Sequence, residues 1–271
     1  MTSVEQRRGP IFIGGAGRSG TTLMRVMLDA HPSICCGPEL KVLPEIAQLF
    51  HGLATNVSMM QSYDNSVADL QLRFREFIEG LVANFVRGSG KPRWAEKTPH
   101  NVTVMAALVS IFPDALFLHI IRDGRDVACS LVKTNWIVPS TGKKVDYTQS
   151  IGNAARYWRD IIQTARSHAA HPILAGRVLE VRYEALVVDT ERTLRHVLRF
   201  LDEPWHAAVL AHDKKSRRHE PDESTTLAAS RPVYDSAIGR WKTEMTNEDK
   251  IAFKTEAGPL LCELGYAVDP W

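Results

Sequence analysis

At 271 residues, 44% hydrophobic and 24% charged, the chain has the composition of an ordinary soluble globular protein with room for a large core. No composition shift or long linker divides it, so one domain over residues 1–271 is expected. A formal net charge of +2 excludes a globally basic surface, and the local basic run "DKKSRRHE", Asp213 to Glu220, reads as a solvated loop, so no nucleic-acid partner is expected.

In chain order, the apolar run in "MTSVEQRRGPIFIGG" is far shorter than a signal-peptide core or a membrane span. A cytoplasmic chain with no membrane partner is the expectation. Ile11 to Gly14 reads as a strand, and Leu23, Met27 and Ala30 recur after Ser19 at helical spacing. Between Val67 and Phe85, the residues Val67, Leu70, Phe74, Phe77, Ile78, Leu81 and Phe85 form one apolar stripe. Arg73, Arg75, Glu76 and Glu79 lie off it, which predicts an amphipathic helix whose stripe enters the core. "RWAEK" is extended, and Thr98 with Pro99 suits the start of a helix that runs on through "NVTVMAALVSIF".

"ALFLHII", Ala115 to Ile121, is apolar almost throughout, as a strand covered on both faces of a parallel sheet should be. "RDGRDVACSLV" then begins a helix. "RVLEVRYEAL", Arg177 to Leu186, repeats the strand-into-helix pattern, and helices are expected at about Glu191 to Leu201 and Asn247 to Leu264. The fold class that follows is α/β: a P-loop-type open parallel sheet flanked by helices, with ligands at the carboxyl ends of its strands. Phe50 to Asn65 and Thr134 to Tyr147 are read as loops. His119, inside "FLHII", reads as a buried strand histidine, and His31 and His100 sit near helix ends. Such scattered positions predict no metal site. Cys35, Cys36, Cys129 and Cys262 form no C-x-x-C pair and are expected to be reduced thiols.

The chemistry concentrates in "GGAGRSGTT". Gly15 and Gly20 have the spacing of a Walker A loop, but Thr21 stands where the phosphate-binding lysine belongs and Arg18 sits within the loop. Backbone N–H groups at a helix N-terminus bind anions, glycines permit close approach, and Ser19, Thr21 and Thr22 add hydroxyl donors. The missing lysine argues against a triphosphate. Arg122 ends the second long strand and Ser130 follows in the next helix, a pair that can share one phosphate. Arg122 can equally pair with Asp123 or Asp126.

"RSGTT" followed by "RDGRDVACS" resembles the paired signatures of sulfotransferases that use 3'-phosphoadenosine 5'-phosphosulfate (PAPS). The resemblance is strongest to the tyrosylprotein branch. It lies in "GRSGTTLMRVMLDAHPSICCGPELKVLPEI" and continues through "AEKTPHN", "IRDGRD", "VRYEAL", "GRW" and "LGY", from about Ile11 to Tyr266.

That resemblance implies that Arg18, Ser19, Gly20, Thr21 and Thr22 hold the 5' side of PAPS, and Arg122 and Ser130 its 3'-phosphate. Tyr183 and Arg240 match further nucleotide contacts, although Tyr183 reads equally well as a core tyrosine. It further implies a hydroxyl acceptor, either a peptide tyrosine or a phenolic or alcoholic small molecule, and no metal. Glu39 falls at the catalytic base, with Pro38 in place of the family's preceding acidic residue. Lys97 and Arg18 would stabilise the transition state. The stretch "ESTTLAASRPVYDSAIGRW" resembles a late loop whose catalytic serine maps to Ser224, or to Thr225 if counted from Pro232. Thr134 replaces a basic residue of the family, with Lys133 adjacent as a substitute. Ala95 replaces a cysteine that pairs, in Golgi-resident relatives, with the one corresponding to Cys36. The relatives are dimers, which makes a homodimer an expectation by analogy. The alternatives are a P-loop kinase or nucleotide hydrolase, and a nucleotide-binding module without catalysis.

Overall fold

A computed structural model describes residues 8–138, 140–214, 229, 233 and 235–266. Among these, five parallel strands form one sheet in the order β2-β3-β1-β4-β5. The strands are β1 Ile11–Gly14, β2 Ile34–Cys36, β3 Arg93–Lys97, β4 Leu116–Ile121 and β5 Val178–Arg182. Central β1 pairs with β3 through Ile11 and Ala95 and with β4 through Gly14 and His119. Both faces of β1 are covered, which is why an unbroken apolar run was its signature.

Alternation along β1 divides the core into two layers. Phe12 faces a cluster with Phe117, Trp158 and Phe253, whereas Ile11 and Ile13 face Met24, Leu118 and Leu194. The Ile13 face is covered by α1 Thr21–Ala30, α8 Tyr183–Val188 and α9 Thr190–Phe200. The Phe12 face carries α2 Leu43–Ala54, α5 Met105–Ile111, α6 Gly124–Val132, α7 Ile151–Ala169 and α11 Asn247–Glu263, with the short α10 Trp241–Glu244 beside α6.

Several expectations need correction. The segment Phe50 to Asn65 is not a loop: it holds the end of α2 and all of α3 Val57–Ser62, whose N-terminus is capped by the Asn56 side chain. The helix expected across "NVTVMAALVSIF" is split into a 3-10 turn, Pro99–Thr103, and α5, because Val104 leaves helical geometry at φ −133°. The amphipathic helix forms as α4 Val67–Ser89, capped by Ser66. Its stripe, however, enters the core only at Ile78, with Leu70 and Phe74 packed at the margin. Val67, Phe77, Leu81 and Phe85 remain exposed. Three-residue β2 and nineteen-residue α7 were not anticipated. Among the described residues of Thr134 to Tyr147 there is a bridge between Ile137 and Lys144 and the start of a 3-10 turn, Asp146–Thr148.

His119 is buried as expected, its Nδ1 3.6 Å from Glu180 Oε1. The four cysteines are free thiols, and Cys36 lies opposite Ala95 in the β2–β3 register. Among the described residues no helix is long and apolar enough to cross a membrane, and no group of three or more His, Cys, Asp or Glu side chains could hold a metal ion.

Candidate active site

The loop from Gly15 to Gly20 turns β1 into α1 at the carboxyl end of the sheet. Its backbone requires glycine at two points. Gly15 adopts φ 150°, and a Cβ there would lie 2.3 Å from the Ile120 carbonyl oxygen; Gly20 adopts φ 94°, with the Tyr183 ring 2.4 Å from where its Cβ would be. Arg18 holds a left-handed φ of 70° without being glycine, a strained backbone of the kind that concentrates at functional sites. Helix α1 begins with no side-chain cap and no acidic residue in its first turn. Its leading N–H groups and the positive end of its dipole are therefore directed at the loop's concavity. Ser19 Oγ is buried there and has no hydrogen-bond partner among the described residues.

Arg122 and the residues after it frame the same concavity. The Arg122 guanidinium lies 4.6 Å over the Tyr183 ring, donates to the Arg18 and Ala237 carbonyls, and approaches Asp126 at 4.0 Å. Its buried Nε has no partner among the described residues. The anticipated pairing with Asp126 is thus loose, and Asp123 is occupied by a bidentate bridge to Arg125, 2.7 Å at its closest. Ser130 Oγ accepts from Arg18 Nε at 2.9 Å, which joins the two signature segments directly.

The rest of "RDGRD" is scaffold. A side chain at Gly124 would strike Trp158, whose indole N–H donates to the Arg122 carbonyl at 3.0 Å. Asp126 accepts from the Gly239 and Trp241 N–H groups at 2.7 and 3.0 Å and anchors the distant "GRW". Burial pushes the Asp126 carboxyl up and those two backbone donors pull it down.

Beside the loop, β3 delivers a cation. Lys97 is opposite Ile13 in the parallel register and its side chain is 3% exposed, paired with Glu39. Glu39 arrives from the segment between β2 and α2, which β3 itself holds: Leu40 N–H donates to Glu96 Oε1 at 2.9 Å and Lys41 N–H to Thr98 Oγ1 at 3.3 Å. Glu96 also accepts from Thr98 and Asn101. Its burial pushes the carboxyl up, opposed by those donors. The Glu39 charge is felt by Tyr157 and His100, two members of an aromatic wall. The Tyr147 and Tyr157 rings stack at 4.1 Å between centroids, and His100 meets Tyr157 edge-on at 6.0 Å. Burial pushes the His100 imidazole below its ordinary value, against the charges of Glu45 and Glu39.

Of the expected site residues, Arg18, Arg122 and Ser130 meet at the loop and Glu39 meets Lys97 beside it. Tyr183 serves two readings at once, since it is 7% exposed in the core yet forms the platform beneath Arg122. Arg240 and Lys133 both pair with Glu244, at 2.8 and 2.9 Å, at the outer end of α6. Ser224 and Thr225 lie outside the described residues, as does most of the basic run from Asp213.

The sequence-family profile described as "Sulfotransferase family" matches residues 10–207. The chain belongs to the sulfotransferase family. A protein-tyrosine sulfotransferase of Drosophila melanogaster is 31% identical over 273 residues, covering 96% of this chain and 52% of the fly protein. Protein-tyrosine sulfotransferase 1 of Homo sapiens is 31% identical over 269 residues, covering 96% of this chain and 70% of the human one. The chain thus spans about half the length of the fly relative and more than two thirds of the human one. Among solved structures, a sulfotransferase domain from the curacin biosynthetic pathway superposes with a TM-score of 0.64 at 20% identity, over 95% of this chain and 98% of that one. A mouse sulfotransferase complexed with PAP gives 0.55 at 14%, over 96% of this chain and 90% of that one. These similarities establish the sulfotransferase fold. The expectation of an enzyme of this type is met.

Within this sulfotransferase, Glu96, Asp126, Trp158 and Tyr157 are site-building residues that sequence reasoning did not assign. Glu96 was detectable as a carboxylate inside an extended segment. Tyr157 gave no signal, because α7 lies 140 residues from the loop it touches.

Proposed function

We propose that this sulfotransferase moves the sulfuryl group of PAPS to a hydroxyl acceptor, with Glu39 as general base. The observation that carries the reading is the Glu39–Lys97 pair, held one strand away from a helix N-terminus that has no side-chain cap. Ser19 Oγ and Arg122 Nε, buried and without a partner among the described residues, fit an anionic ligand with two charged ends. PAPS, when bound, supplies an activated sulfuryl group. The loop N–H groups with Ser19, Thr21 and Thr22 would hold its 5' side, and Arg122, Ser130 and Arg240 its 3' side. Thr21 occupies the position of the Walker A lysine, and Lys97 brings a cation to the loop from β3 instead.

In this reading Glu39 exchanges its contact with Lys97 for the acceptor hydroxyl and takes its proton. Lys97 and Arg18 then neutralise charge on the departing oxygen, a task for which one well-placed donor contributes roughly 3 to 4 kcal/mol in other enzymes. Ser224 is the proposed late-loop hydroxyl. The names of the 31%-identical relatives favour a peptide tyrosine as acceptor over a small phenol or alcohol, and the aromatic wall beside Glu39 suits either aromatic choice. The free thiols, with Cys36 facing Ala95, support the further proposal of a reducing, cytoplasmic setting.

The test is a metal-free thermal-shift titration with 3',5'-adenosine bisphosphate (PAP), AMP and ATP. A ligand at a hundred times its dissociation constant adds about 2.7 kcal/mol, and each kcal/mol moves the midpoint by roughly 2 to 4 °C at this size. The expected result is a shift for PAP far above that for AMP. A preference for ATP with magnesium would overturn the reading in favour of a kinase or hydrolase. Binding of PAP without transfer from PAPS to tyrosine peptides or phenols would favour the silent module.

A further inference from the structure

Tyr157 occupies the junction between the anion loop and the acceptor side. Its hydroxyl oxygen accepts the Gly17 N–H at 3.0 Å, in the middle of "GGAGRSGTT". Its ring is stacked on Tyr147, from the segment that precedes α7, and meets His100, three residues after Lys97. The hydroxyl also feels the charge of Glu39, and burial, the larger influence, pushes its pKa up. The phenol therefore keeps its proton at neutral pH. Among the described residues that proton is given to no acceptor, although the oxygen is engaged.

We propose that the Tyr157 hydroxyl donates a hydrogen bond to the sulfuryl group in transfer, relaying the Gly17 N–H from the anion loop toward Glu39 and Lys97. A hydroxyl that accepts from a backbone amide is polarised and becomes a better donor, and this gain is larger in a buried site. The relay extends the loop's line of donors to the side where the new bond must form. In the transfer, the bond from sulfur to the phosphate oxygen breaks and a bond from sulfur to the acceptor oxygen forms. The acceptor proton goes to Glu39, the electron pair of the broken bond stays with the leaving phosphate, and Tyr157 keeps its own proton throughout. Tyr157 differs from the loop donors in one respect: it recognises sulfuryl oxygens and is indifferent to the rest of the nucleotide.

The inference rests on the PAPS reading and is tested separately from it. Calorimetric titration of wild type and Tyr157→Phe with PAPS and with PAP, which lacks the sulfuryl group, gives the contrast. Phenylalanine keeps the stacking surface against Tyr147. The expected result is PAP affinity within about twofold of wild type and PAPS affinity weakened about three- to tenfold, the range of one neutral hydrogen bond. Transfer to a tyrosine peptide should fall further, because the bond strengthens as charge develops. Incorporating 3-fluorotyrosine at Tyr157, which retains ring and hydroxyl, should preserve the PAPS preference even if Tyr157→Phe folds poorly. Equal weakening of PAP and PAPS would reduce Tyr157 to a latch on the loop and overturn the proposal. Failure of wild type to bind either nucleotide would remove the donor reading itself, and this proposal with it.

Discussion

The two halves of the site are built differently. On the nucleotide side, two strand-to-helix turns and the segment at Gly239, 104 to 115 residues apart, lock one another through backbone and side-chain hydrogen bonds: Arg18 to Ser130, Arg122 to the Arg18 carbonyl, Asp126 to Gly239 and Trp241. On the acceptor side, one ion pair joins Glu39 to Lys97, and a ring stack joins Tyr147 to Tyr157, whose hydroxyl feels the charge of Glu39. A preorganised half suits a ligand of fixed shape and charge, which must find its donors already in place. A half walled by aromatic faces suits acceptors that vary around a common hydroxyl. The contrast predicts that substitutions on one side should spare the function of the other.

The largest separation is expected at Glu39. Glu39→Gln keeps an oxygen for Lys97 and should lower transfer by about 10² to 10⁴, the range for losing a general base, with PAP affinity nearly unchanged by thermal shift. Loss of PAP binding in that variant would break the comparison, since it would make Glu39 part of the nucleotide site. Next comes Arg122→Ala, which removes the buried guanidinium. Charge-assisted bonds of about 1.5 to 3 kcal/mol imply about 10- to 100-fold weaker PAP binding, with AMP affected far less. A uniform loss for both nucleotides would assign Arg122 to the loop's scaffold through the Arg18 carbonyl.

The smallest effect concerns the polar cluster of Glu180, Arg166 and His119 on β5, α7 and β4. Burial pushes the Glu180 carboxyl up, but Arg166 and His119 outweigh it and hold the value at about 2, below the ordinary 4.5. Its contribution to stability is complete above the ordinary value and is lost as pH falls from there toward 2. The midpoint difference between wild type and Glu180→Gln should therefore shrink over that acid interval while PAP selectivity at neutral pH stays the same. A gap that persists at pH 2 would show that packing, and not the charge, sets the difference.

The nucleotide half was largely legible because its information is local. A strand, a glycine-rich turn and a helix start follow one another within "IFIGGAGRSGTT", and Arg122 and Ser130 share one short strand-to-helix turn. The resemblance located Glu39 and Lys97 individually, yet nothing in either segment announced that they touch. The stripe on α4 was read correctly as one face and wrongly as core, since periodicity reports that a helix has an apolar side and not what covers it. Strand β2 is three residues long, too short for alternation to register, and it forms because Ile34 to Cys36 add to the free edge of β3.

By itself the sequence determined the parallel α/β class, the anion loop and its departure from a Walker A site, because these depend on glycine's backbone freedom and on apolar runs that act over a few residues. Only the tertiary structure decided which cation faces the loop, how Glu96 pins the Glu39 segment against β3, and that Tyr157 reaches Gly17. Those are contacts between segments 56 to 140 residues apart, and their geometry comes from the order of strands in the sheet and the packing of α7 across it, which no local pattern encodes.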